Sequence, residues 1–365
     1  MRVGVNLLGL SQDKFGGAEQ YIKNLILNLA NQDEDIELFL FLKENIDILP
    51  NQIKKFVFKQ PVRQFQIYSA IQMLQLDLWF CPLHKSYLSA IPVPTVVTIH
   101  DCLHTFYPEF VPGGLEGNNE YYKKFAQSFD AVITVSEFSK KSISERLHIP
   151  KEKIHAIHLD VAERFNNATN LRTKELIKAK YKLPDAYALY PASYNQHKNH
   201  LNLLKALVTL RDRYKKTIPL VLTGYFYKGN QLLPTIINFL NEHHLTEQVK
   251  ILGYIPEQDL PYIYRNADFL IFPSLFEGFG LPLVEAMKTQ TPIVCSNRGS
   301  IPEVVDDAAL LFNPESAEDI AMKMMNALNP MTRIELIQKG NERANAFSWE
   351  KCAKETLSVF RGVLS

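Results

Sequence analysis

Short apolar runs alternate along the chain with longer stretches whose apolar residues recur every third or fourth position. The runs, bounded by turn residues, predict buried parallel strands over 3–8, 36–42, 55–59, 78–82, 94–99, 131–135 and 154–159 in the first part of the chain. A second series falls at 186–191, 219–223, 249–252, 269–272, 292–295 and 309–312, the last at a sheet edge. The periodic stretches predict amphipathic helices at 63–76, 121–129, 140–147, 201–210, 232–243, 260–265, 317–328 and 333–346. Further helices open at Gly17, Pro282 and Phe347, and Ser136 caps the helix at 140–147. This alternation predicts an α/β protein of two Rossmann-like, doubly wound domains. The polar stretch 166–172 is the best linker, dividing residues 1–170 from 171–347, with 348–365 a final helix. Residues 103–119, rich in Pro and Gly, read as a long irregular loop belonging to an acceptor site or a lid.

Length supports the division, because 365 residues exceed the size at which one core keeps growing. A hydrophobic content of 46% suffices for two cores. With 40 basic against 39 acidic residues there is no global field to suggest nucleic acid as a partner. Cys81, Cys102, Cys295 and Cys352 have neither metal-like nor framework spacing, as expected of reduced thiols in a cytoplasmic protein. The chain opens directly on a strand and contains no apolar run of membrane-spanning length. Lys123 and Lys124 among Tyr121, Tyr122 and Phe125 leave peripheral membrane contact through the first domain open, although such a pattern is more often a solvated helix face.

Candidate chemistry collects where strands end, since ligands of open α/β sheets bind beyond the carboxyl ends of the strands. The richest stretch is 271–285, in which a strand stops at Pro273-Ser274, a loop carries Glu277, Gly278, Phe279 and Gly280, and a helix starts at Leu281-Pro282 and carries Glu285. Its glycines allow close approach of a ligand, and the helix N-terminus favours an anion such as phosphate. The two carboxylates suit sugar and ribose hydroxyls, to which they are strong acceptors. Elsewhere Gly16-Gly17 open a helix after the first strand, His100-Asp101 end the strand at 94–99, and Lys198-Asn199 follow the strand at 186–191. Any one of these alone is as readily structural as functional. The acidic triplet 33–35 follows a helix, not a strand, and makes a poor metal site.

Taken together, Glu277-Gly-Phe-Gly-Leu-Pro, Glu285-Ala, Thr291-Pro-Ile-Val and Ile301-Pro-Glu303-Val closely resemble the nucleotide-sugar site of the retaining glycosyltransferases of family 4, the mannosyltransferase-like group 1 enzymes of GT-B architecture. The resemblance covers nearly the whole chain and is strongest from Tyr187 to Trp349. It implies two domains facing each other across a cleft, the first binding acceptor and the second donor, with the last helix crossing back. It also implies site roles. Glu277 touches the transferred sugar and Glu285 the ribose. Lys198 and Asn199 hold the diphosphate, with Gly16, Gly17, Ser274, Gly278, Phe279, Gly280 and Leu281 around it. Gly253 and Tyr254 meet the nucleobase, and His100 with Asp101 lies beside the sugar. The arginine that many members carry shortly before the phosphate-binding lysine is missing, for Ala192, Ser193 and Tyr194 stand there.

The resemblance further implies front-face substitution with His100, Glu277 and Lys198 as the catalytic set, no cofactor and no metal, the nucleotide sugar being a substrate. GDP-mannose is the favoured donor and a UDP-sugar the next, with a saccharide or lipid-linked saccharide as acceptor. The competing readings are a non-catalytic nucleotide-sugar-binding partner subunit, a GT-B epimerase and a dehydrogenase. The last would need a Gly-x-Gly-x-x-Gly turn directly after a strand, and Gly278-Phe-Gly280 lacks the third glycine.

Overall fold

Two all-parallel sheets carry the chain in the computed structural model, which describes every residue except 11–15, 33–34, 47–48, 50–52, 59–61, 85–87, 89, 167–169 and 227–229. The chain divides into two units: Met1–Asp160 with Ser348–Ser365, and Val161–Phe347.

Unit 1 contains β1 (Arg2–Asn6), β2 (Glu37–Leu42), β3 (Lys54–Val57), β4 (Leu78–Cys81), β5 (Thr95–Thr98), β6 (Ala131–Thr134) and β7 (Ile154–Ala156). Their order in the sheet is β3-β2-β1-β4-β5-β6-β7. Its helices are α1 (Gly17–Gln32), α2 (Gln64–Met73), α3 (Gly114–Phe125) and α4 (Glu137–Leu147). Every side chain of β4, β5 and β6 is buried. A sheet covered on both faces requires this, and it is why these strands read as unbroken apolar runs. Trp79 lies edge-on to Phe41 at 4.7 Å, in a core shared with Val97, Ile99 and Val132. The Ser136 cap of α4 forms as expected, its Oγ accepting the Ser139 N–H at 3.0 Å.

Unit 2 contains β8 (Ala188–Pro191), β9 (Leu220–Thr223), β10 (Val249–Gly253), β11 (Phe269–Phe272), β12 (Ile293–Ser296) and β13 (Ala309–Phe312). The sheet order is β10-β9-β8-β11-β12-β13. The helices are α5 (Leu171–Lys180), α6 (His200–Asp212), α7 (Leu232–Glu242), α8 (Leu260–Asn266), α9 (Leu281–Lys288), α10 (Ile301–Val305), α11 (Ala317–Asn326) and α12 (Pro330–Ala344). The last helix, α13 (Trp349–Leu364), belongs to unit 1, where it packs on α1 and sets Phe360 edge-on to Phe80 at 5.1 Å.

In both sheets the chain winds outward from a central strand and then returns to that strand's other side, so the direction of winding reverses between β1 and β4 and again between β8 and β11. Such reversal points open a crevice at the carboxyl ends of the strands, where ligands of this fold class bind. In unit 2 the crevice is bordered by the loops after β8 and β11, which carry Lys198 and Glu277.

Several expectations are corrected. Residues 103–119 are not one irregular loop: short 3-10 turns at Leu103–Thr105 and Pro108–Phe110 lead into α3, which begins at Gly114. The glycine-rich start becomes helical because the Asn118 amide donates to the carbonyls of Pro112 and Gly114, and because His104 pairs with Asn119. Glu303 lies in α10 rather than a loop. Unit 2 begins at Val161, ahead of the linker expected at 166–172, because Phe165 is buried against Tyr264 and Arg164 pairs with Glu257 within that unit. Part of that stretch (167–169), two residues of the acidic triplet (33–34) and the end of the third expected strand (59) lie outside the described residues. All four cysteines are free and buried. Among the described residues, no helix is long and apolar enough to cross a membrane.

Candidate active site

The loops after β8 and β11 in unit 2 are stitched to each other. Lys198 ends a 3-10 turn (Gln196–Lys198), and Tyr190 on β8 donates its phenol proton to the Lys198 carbonyl at 2.6 Å. Leu275 N–H bonds the His197 carbonyl at 2.8 Å. Lys198 Nζ reaches Glu277 Oε1 at 2.7 Å, with both side chains largely buried. The two residues expected to meet phosphate and sugar are thus in direct contact, a cation and an anion at one strand crossing.

Asn199, expected among the donor contacts, braces the fold through its side-chain amide. It adopts a left-handed conformation before α6, and its amide donates to the carbonyls of Pro273 (3.0 Å) and Pro314 (2.8 Å). The Phe279 side chain is likewise a packing group, buried edge-on to Phe347 at 5.7 Å. Ser274 is fully buried beside the Tyr190 phenol. Gly278 is buried and Leu281 half-buried, flanking the turn into α9.

Two glycines shape this turn. Gly280 precedes α9 at φ +97°, and a Cβ there would meet Leu283 Cδ1 at 2.9 Å. Gly299, at φ +63° in the loop after β12, lies so close to the Glu277 backbone that a Cβ would stand 2.9 Å from its carbonyl oxygen. Next to it, the Ser300 hydroxyl bridges the carbonyls of Glu277 (3.0 Å) and Phe279 (3.2 Å). The sequence reading missed this clamp, although a glycine between a strand and a helix at the same sheet end was a usable signal.

Glu285 projects from α9 and accepts a hydrogen bond from the Tyr264 phenol on α8. Burial pushes its carboxyl up to about 7, against the opposing Tyr264 hydrogen bond and the Arg164 cation, while Glu257 adds to the rise. Gly253 ends β10, and Tyr254 beside it is 53% exposed.

Unit 1 gathers the other expected residues. Gly16 and Gly17 lie at the start of α1, and Tyr21, one turn on, bonds Thr98 at 3.0 Å and meets the His100 ring edge-on at 4.9 Å. His100 therefore shares a sheet end with the glycine turn. The ring of His84 lies 4.8 Å from His100 on another side. Neither nitrogen of His100 has a hydrogen-bond partner among the described residues, and burial, with His84 adding to it, holds the imidazole well below its ordinary range, hence neutral. Asp101 accepts the Leu103 N–H at 2.9 Å and so starts the following 3-10 turn.

With this geometry in place, similarity to known proteins becomes decisive. Residues 15–159, within unit 1, match the family described as Glycosyltransferase Family 4, and residues 173–343, within unit 2, match Glycosyl transferases group 1. O-antigen chain mannosyltransferase B of Escherichia coli is 32% identical over 272 residues, spanning 73% of this chain and 70% of that protein. The chain belongs to the family 4 glycosyltransferases. The serotype-specific mannosyltransferase WbdA of Escherichia coli is 29% identical over 75% of this chain, which spans only 34% of WbdA. Among solved structures, HepE from Anabaena in complex with UDP and glucose superposes with a TM-score of 0.80 at 18% identity, covering 98% of this chain and 99% of HepE. At that identity the likeness speaks for fold alone. It identifies the pair of parallel-sheet units as those of a GT-B glycosyltransferase.

Proposed function

We propose that this glycosyltransferase moves a hexose, mannose in preference, from a nucleoside diphosphate sugar to a saccharide or lipid-linked saccharide acceptor in polysaccharide assembly, with retention of anomeric configuration and without a metal ion. The observation that carries this reading is the contact between Lys198 and Glu277 at the reversal point of unit 2. Mannose and polysaccharide are supported by the relatives, which are themselves mannosyltransferases, one of them acting on the O-antigen chain. GDP-mannose is the first donor to try and a UDP-sugar the second.

In this reading the bond between the anomeric carbon and the diphosphate oxygen breaks while the acceptor oxygen bonds to the same face of the sugar. The acceptor's proton passes to the departing phosphate oxygen, so no protein nucleophile is used. Lys198 and the N–H groups opening α9 take up the charge of the leaving diphosphate. Glu277 accepts from sugar hydroxyls and Glu285 from the ribose. Neutral His100 donates to the sugar, stabilising the oxocarbenium-like stage through a preorganised dipole.

The test is incubation of the purified protein with GDP-mannose or UDP-sugars and oligosaccharide acceptors, with and without a chelator, followed by NMR of the product anomer. Transfer with retention that survives chelation is expected. Inversion, loss of activity with the chelator, or no transfer from any donor would each remove the corresponding part of the proposal.

A further inference from the structure

Apart from the residues already placed at its strand ends, unit 1 has a cavity of about 270 Å³ between the start of α4, the end of β7 and the middle of α13. Ile157 and Val359, both buried, supply apolar lining. Polar groups of both kinds join them: the carboxylates of Glu137 and Glu355, the Lys140 ammonium, the His155 imidazole and the exposed Ser358 hydroxyl. Burial, with Lys140 adding to it, holds the His155 imidazole below its ordinary range, so at neutral pH the ring offers one donor and one acceptor. Two carboxylates repel a phosphate or an acidic chain. Among the described residues no group of three His, Cys, Asp or Glu side chains is placed to hold a metal ion. Such a lining suits a neutral ligand that has many hydroxyls and an apolar face. A pyranose ring is one, its hydroxyls donating to the carboxylates and accepting from the ammonium and imidazole while its C–H face lies on Ile157 and Val359.

The place of the cavity in the sheet gives such a ligand a reason to be there. Ile157 N–H donates to the Thr134 carbonyl at 2.8 Å, and the Thr134 hydroxyl donates to the His100 carbonyl at 3.4 Å. The cavity and His100 therefore lie on one row across β7, β6 and β5, separated by two strand spacings, about 10 Å. Because β7 is the outermost strand, a chain that passes the cavity leaves the sheet at that edge. We propose that this cavity is a distal acceptor subsite, holding a sugar unit further along the acceptor chain than the one that receives the hexose. The inference rests on the transfer reading above and adds the length of acceptor that the enzyme recognises. A single sugar beside His100 leaves the cavity empty, whereas a chain a few units long covers the row and is held at both ends.

Initial rates of transfer to acceptors of one, two and three mannose units, with whichever donor supports transfer, test this. The wild-type kcat/KM is expected to rise about tenfold or more from the shortest acceptor to the longest, as about two added hydrogen bonds to charged partners allow. Ser358→Trp fills the cavity from an exposed position and should bring that ratio within about threefold, chiefly through KM. Glu355→Ala removes one acceptor group from the lining and should lower the same ratio by less. Equal kcat/KM for all three lengths, or a preference for longer chains that survives Ser358→Trp in a variant whose thermal melt matches the wild type, overturns the subsite while leaving hexose transfer intact. Absence of transfer to any of these acceptors from any donor removes the transfer reading itself, and this inference with it.

Discussion

The two units end their strands in opposite ways. In unit 2 the loops after β8 and β11 are joined by an ion pair and a lattice of hydrogen bonds, with Lys198, Glu277 and the Asn199 amide all engaged. In unit 1 the corresponding sheet end offers His100, packed between aromatic rings with both nitrogens unused among the described residues. Under the proposed function the difference matches what each end would handle: a diphosphate brings concentrated charge suited to a braced cation and oriented amides, whereas sugar hydroxyls suit a neutral imidazole whose N–H is uncommitted.

Breaking the charged half should cost most. Lys198→Ala or Glu277→Ala is expected to slow transfer about 10²–10³-fold, on the scale of losing one preorganised electrostatic contact. Because the partners touch, the double variant should lose much less than the product of the two, a shortfall that a double-mutant cycle in kcat reads directly. Additive losses would mean the contact has no part in the reaction. Breaking the neutral half should cost less. His100→Ala is expected to lower kcat by about tenfold to a hundredfold with little change in nucleotide affinity. In the wild type His100 should contribute no titration step near pH 6.5, because it is already deprotonated there.

Gly299→Ala probes the bracing rather than the chemistry. A left-handed alanine with its Cβ against the Glu277 carbonyl should destabilise unit 2 by about 2 kcal/mol, lowering Tm by several degrees in a thermal melt. An unchanged Tm would show that the clamp is slack. The smallest effect concerns Glu285. Its folded carboxyl titrates above the ordinary carboxylate range, so the ionised form is lost as pH falls through about 7. Nucleotide affinity should therefore drop a few-fold between about pH 8 and 6, and Glu285→Gln should flatten that step. By the same sign, burial of this group supports folding fully at acid pH, and that support disappears as pH rises from the ordinary carboxylate value to about 7.

The fold was legible because strands buried on both faces leave unbroken apolar runs, and the helices between them keep a stripe. Lys198, Glu277 and Glu285 were legible because they lie at strand and helix ends within short strings of diagnostic residues. Their partners were not. Tyr264 meets Glu285 from 21 residues away, Ser300 meets Glu277 from 23, and Arg164 meets Glu257 from far earlier in the chain, so each contact exists only once the strands are side by side. The loop expected at 103–119 failed because glycine propensity was outweighed by the side-chain bonds of Asn118 and Asn119.

The placement of α13 sets an order of assembly. Unit 1 begins ahead of unit 2 along the chain, yet the helix that covers Phe80 and α1 is synthesised only after all of unit 2. On the ribosome unit 1 is thus completed only after unit 2, and until then it carries an uncovered apolar face that includes Tyr21 and Phe80, the partners of Trp349 and Phe360. A chaperone's view of this protein is a finished second half waiting beside an unfinished first.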